Sequence, residues 1–159
     1  MATTVRSSPH ALQAGRYGAA MTEDLPLTGG CNCGAVRFEV TEPLVDAGYC
    51  HCTRCQRRTG TAASLNGGVA PNAFRLLSGA DQLARYRPPG GADKVFCASC
   101  GSALFSQSAT DPGIVGIRFG VLDSDPGIRP QYHQFVAYAA PWEEIPDDGL
   151  PRYDESRPR

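Results

Sequence analysis

The chain has 159 residues, enough for one packed domain and too few to expect two. Hydrophobic residues make up 42% of it, which excludes global disorder. A net charge of −1 gives no whole-molecule attraction to nucleic acid or an anionic membrane, and no apolar run approaches the roughly 20 residues needed to span a bilayer.

In chain order, residues 1–24 show no periodicity and include Ser7, Ser8 and Pro9. They lack the apolar stretch of a signal peptide and read as a flexible tail without chemistry, His10 included, and Met21 is a possible alternative start. The folded domain is expected over residues 25–155. With no secretory signal and with thiols to protect, a reducing cytoplasm is the expected compartment.

Gly34 to Val40 alternates, with Val36, Phe38 and Val40 facing one way and Arg37 and Glu39 the other, the pattern of a half-buried strand. Short segments of the same kind recur at 74–77, 83–86, 94–96, 103–105, 114–119 and 131–138. Gly- and Pro-rich turns separate them, such as Pro88-Pro89-Gly90-Gly91 and Asp125-Pro126-Gly127. Only 53–58 carries a helical pattern, with Gly60 placed to end it in a left-handed conformation. The fold class is therefore mainly β. Trp142, in an acidic Pro-broken segment, is expected to cover an edge of the core.

Seven cysteines punctuate this frame and none stands alone: Cys31/Cys33, Cys50/Cys52/Cys55 and Cys97/Cys100. Thiolates one or two residues apart repel until a cation sits between them, and a short turn aims them at one point. A disulfide framework would call for an even count and wider spacing. Cys50, Cys52 and Cys55 lie within six residues, so one loop can present all three to one ion. The two distant pairs are then left to form a four-cysteine site tying the first strand to the central hairpin. Four thiolates saturate a tetrahedral zinc ion and make it structural, whereas three leave one position for a ligand.

In an extended Cys50-His51-Cys52 the side chains alternate, so His51 points away from the metal and reads as a supporting residue rather than a ligand. His133 reads either as a satisfied histidine or as a pocket residue touching substrate. Arg54, Arg57 and Arg58 crowd the three-cysteine loop. They form either a solvated basic turn or a grip on a carboxylate beside a metal–thiolate centre of net charge −1. The excess of fourteen arginines over one lysine, Lys94, fits codon bias in a GC-rich genome.

Gly30-Cys31-Asn32-Cys33-Gly34, the run from Cys50 to Gly60, and Phe96-Cys97-Ala98-Ser99-Cys100-Gly101 resemble the glutathione-dependent formaldehyde-activating enzymes. Gly120-Val121-Leu122-Asp123 and Trp142 also look like that family's C-terminal half, and the resemblance extends from about Leu27 to Tyr153. It implies a zinc-binding β-tent fold with two zinc ions, a structural one on Cys31, Cys33, Cys97 and Cys100 and a catalytic one on Cys50, Cys52 and Cys55. It also implies a carbon–sulfur lyase reaction joining formaldehyde to glutathione. Arg54, Arg58 and His133 are the candidate substrate-binding residues. Two other readings use the same cysteines: a non-catalytic zinc-stabilised binding module, and a thiol-redox enzyme with Cys50, Cys52 and Cys55 as reactive cluster.

Overall fold

A computed structural model describes residues 25–108 and 113–158. The expected N-terminal tail, with His10, lies outside them. Eleven strands and one short α-helix make up the regular structure among the described residues, so the chain is mainly β. Strand β1 (Leu27–Gly30) pairs with β2 (Arg37–Val40), and β2 with β5 (Phe74–Ser78), in a small antiparallel sheet. The second sheet has eight strands. From one edge these are β11 (Arg152–Tyr153), β10 (His133–Gln134), β3 (Val45–Cys50) and β4 (Ser64–Val69), then β9 (Val115–Arg118), β8 (Ala103–Gln107), β7 (Asp93–Cys97) and β6 (Leu83–Tyr86).

Alternation decides which residues meet. Phe38 of β2 lies 5.3 Å, ring to ring, from Phe74 of β5, and Phe74 lies 4.7 Å from Phe105 of β8, so aromatic contacts join the two sheets. Val36, Val40, Val69, Val95, Leu104 and Ile117 complete the core around them. At roughly 25 cal/mol per Å² of apolar surface removed from water, these side chains supply most of the stabilisation available to so turn-rich a chain.

The opposite face of the large sheet is different. Cross-strand partners share a face, and the registers Cys50↔Ser64, Asn66↔Arg118, Ser106↔Gly116, Lys94↔Ser106 and Tyr86↔Lys94 run across five adjacent pairings. One polar face thus carries Cys50, Ser64, Arg118 and Lys94 together, while Val95, Phe105 and Ile117 turn to the apolar side. Helix α1 (Thr53–Thr59) begins three residues after Cys50 and contacts β4.

Two expectations change here. The segment 131–138 forms only the two-residue β10 and a short 3-10 turn over Val136–Tyr138. Its apolar residues Phe135, Val136 and Tyr138 mimic strand alternation, but Phe135 sits at φ 59° and ends the extended run. Trp142 covers nothing, since it is 67% exposed.

Candidate metal centres and the cavity beside them

Two turns bring the four-cysteine group together. Between β1 and β2, Cys31 accepts at its carbonyl from the Gly34 N–H at 3.0 Å. After β7, the Cys97 carbonyl accepts from the Gly101 N–H at 2.9 Å, with Gly101 at φ 75°, where any side chain is strained. A hydrogen bond from Asn32 N–H to Ser102 Oγ at 3.0 Å joins the two turns. Cys31 Sγ lies 3.4 Å from Cys33 Sγ, and Cys33 Sγ 3.9 Å from Cys97 Sγ; all four sulfurs fall within 4.8 Å of one another. A tetrahedral ion with metal–sulfur bonds of about 2.3 Å places its sulfurs about 3.8 Å apart, so the donor set and its spacing fit zinc.

Cys50, Cys52 and Cys55 form the second group, again with all sulfurs within 4.8 Å. Cys50 ends β3, Cys52 is the N-cap of α1, and Cys55 lies in the first turn of the helix. Cys50 Sγ and Cys52 Sγ are 3.5 Å apart, and Cys52 Sγ accepts from the Cys55 N–H at 3.4 Å. Crowded sulfurs cannot all ionise independently. The hydrogen bond between them pushes the Cys50 thiol up and holds the Cys52 thiol well down, with Cys55 and burial adding to the first effect. Gly60 closes α1 at φ 70°, its N–H bonded to the Gln56 carbonyl, as the sequence predicts. Each group could therefore hold a metal ion, and the partition into four and three follows the geometry.

His51 turns away from the sulfurs into the protein. Its Nε2 lies 2.8 Å from Nδ1 of His133, whose Nε2 lies 3.0 Å from Asp148 Oδ2. A carboxylate only accepts, so His133 donates from Nε2. With one proton per ring, His133 Nδ1 then accepts from His51 Nε2–H. Burial, followed by the neighbouring His133, lowers the His51 pKa. Tyr49 stacks on His133 at 4.8 Å, and Gln56 Nε2 donates to the His51 and Tyr138 carbonyls at 2.6 and 2.8 Å. His133 is 2% exposed, is hydrogen-bonded at both ring nitrogens and belongs to the lining of neither cavity beside the cysteines.

A cavity of about 350 Å³ opens against Cys55, lined by Arg54, Arg57, Arg58, Lys94, Tyr86 and the Pro88-Pro89 turn. A second, of about 380 Å³, adjoins Cys52 between Arg54, Phe135, Tyr138 and Glu155. Arg118 of β9 is 6% exposed and donates from Nη1 to Ser64 Oγ at 3.0 Å. Burial, then the nearby Arg58, lowers its pKa to about 10, so it remains charged at neutral pH. Burial lowers the Lys94 and Arg58 pKa values as well. Sequence reasoning missed Arg118, Lys94 and Asp148. The available signals were a charged residue closing an otherwise apolar strand at Ile117-Arg118-Phe119 and the one lysine of the chain.

The fold and its two cysteine groups define a mainly β protein built around candidate metal sites. The family model for "Glutathione-dependent formaldehyde-activating enzyme" matches residues 26–138, and the chain belongs to that family. A Halomonas elongata protein named "Putative glutathione-dependent formaldehyde-activating enzyme" is 30% identical over 133 residues, covering 75% of this chain and 80% of that one. A solved structural-genomics target from Rhodobacter sphaeroides superposes with a TM-score of 0.53 at 27% identity, over 79% of this chain and 98% of that chain.

Proposed function

We propose that the protein is a zinc-dependent carbon–sulfur lyase that joins glutathione, or a related thiol, to formaldehyde or a similar small electrophile. The observation that carries this reading is the three-thiol group of Cys50, Cys52 and Cys55 beside a cavity rich in arginine. Cys31, Cys33, Cys97 and Cys100 hold a structural zinc, and Cys50, Cys52 and Cys55 hold the catalytic one. Bound there, zinc supplies the Lewis acidity that keeps a thiol ionised at neutral pH.

The chain's own residues do the rest. Arg54 and Arg58, on the helix that follows Cys52, grip a carboxylate of the thiol substrate. Held in this way, the thiolate sulfur attacks the carbonyl carbon as the C=O π pair moves to oxygen. That oxygen takes up a proton to replace the one the thiol lost, giving the hydroxymethyl thioether. Holding two small reactants together is the main source of acceleration, because effective molarities for oriented partners are large. The His51–His133–Asp148 chain fixes the loop that presents Cys50 and Cys52.

Two-dimensional exchange NMR on formaldehyde and glutathione tests this directly. Exchange faster than the spontaneous reaction is expected with zinc-loaded protein, and the spontaneous rate with Cys52→Ser. No acceleration by the zinc-loaded protein would sink the reading.

A further inference from the structure

All three guanidinium nitrogens of Arg58 are buried without a hydrogen-bond partner, as is Nε of Arg118. An unpaired buried guanidinium is costly, and a fold keeps one only where something compensates it. Among the described residues no ion pair joins Arg58, Arg118 or Lys94 to a carboxylate. Arg58 and Lys94 line the cavity that also borders Cys55, and Arg118 lies on the same polar sheet face as Cys50. The three cations reach this place from separate elements, α1, β9 and β7, so their convergence is a property of the fold rather than of one basic turn.

The charges do not balance with metal and cysteines alone. A divalent ion on three thiolates carries one net negative charge, and a fourth, exogenous thiolate makes it two. Facing this are Arg58, Lys94 and the buried Arg118, with the exposed Arg54 and Arg57 beside them. Positive charge is left in excess.

We propose that Arg58, Arg118 and Lys94 form an inner anion site behind the three-thiol group, which selects for that group a thiol carrying a carboxylate. This rests on the reading that the three-cysteine group receives a thiol, and it names the feature that thiol must have. The exposed Arg54 and Arg57 contribute less, because solvent screens them, whereas a charge-assisted hydrogen bond to a desolvated guanidinium is among the stronger polar contacts.

The test is calorimetric titration of zinc-loaded protein, with zinc content verified, at neutral pH and low salt, without formaldehyde. The probes are 3-mercaptopropionate, 2-mercaptoethanol and cysteamine, which carry the same thiol arm ending in a carboxylate, a hydroxyl and an ammonium group. The carboxylate thiol should bind roughly tenfold or more tightly than the hydroxyl thiol, the factor expected of one charge-assisted hydrogen bond, with cysteamine weakest. Arg58→Gln should abolish the preference and Arg58→Lys should keep part of it. Equal affinities across the three probes, or a preference unchanged in Arg58→Gln, would overturn the anion site. The probe series on the unmodified protein decides the matter even if the variants lose zinc. Preference without accelerated formaldehyde exchange removes the enzymatic reading and leaves the anion site standing. Acceleration indifferent to thiol charge does the reverse, and no thiol binding at all overturns both.

Discussion

Single side chains divide into those that could hold metal, those that face the cavity and those that brace the loop. Cys97 is fully buried and belongs to the four-cysteine group, whereas Cys55 is half-buried and borders a cavity. Cys97→Ser should therefore cost on the order of 4 kcal/mol or more in denaturant unfolding, the range reserved for losses such as a structural metal. Cys55→Ser should lose one zinc equivalent and leave the unfolding midpoint nearly unchanged. Asp148→Ala leaves the His133 Nε2–H of the buried His–His pair without its acceptor. That should cost about 1–3 kcal/mol. It should also shift the ¹⁵N resonances of both imidazoles; unchanged ring signals would disprove the coupling.

At the scale of elements, the small sheet is pinned to the rest by polar contacts at its edge. Asp123 follows the short 3-10 turn over Phe119–Val121 and pairs with Arg37 of β2, while Thr28 of β1 donates to the same carboxylate at 2.6 Å. The Arg37 hydrogen bond, then that of Thr28, holds the Asp123 carboxyl below its ordinary range. A folded-state pKa lowered in this way gives stability that is present above the unfolded value, about 3.9, and is lost as the pH falls through the folded one. Both partners are substantially exposed, so the effect is modest. Arg37→Gln should flatten the pH dependence of stability below about pH 4 and leave it unaltered near neutrality. An acid-unfolding profile identical to that of the parent chain would refute this assignment.

For the whole molecule, the eight-stranded sheet separates two environments. Its apolar face builds the core with β2 and β5, and its polar face carries Arg118 and Lys94 on the side of Cys50. Chelation should thus proceed in two stages. The first zinc equivalent, from the open three-thiol site, should leave without change in circular dichroism. The second should leave together with unfolding, since folding of the turns between β1 and β2 and after β7 depends on it. Simultaneous release of both, followed by a colorimetric chelator, would argue against the division of roles. No helix among the described residues is long and apolar enough to cross a membrane.

The cysteine spacing alone determined that this chain gathers metal ligands, and the count of seven pointed to a closed set and an open one, because local turn geometry sets which sulfurs can share an ion. Alternation at Val36, Phe38 and Val40 likewise revealed the mainly β class, and Gly60 the end of the short helix, since strand period and left-handed caps are local properties. Only the tertiary structure decided what surrounds those sulfurs. Arg118 and Lys94 lie 24 residues apart in sequence, and the pairing of β7, β8 and β9 brings them to one face. Asp148 meets His133 because the C-terminal segment returns to the β10 edge. Trp142 stays exposed instead of covering an edge of the core for the same reason: which surfaces meet depends on long-range register, and no local pattern in the sequence encodes it.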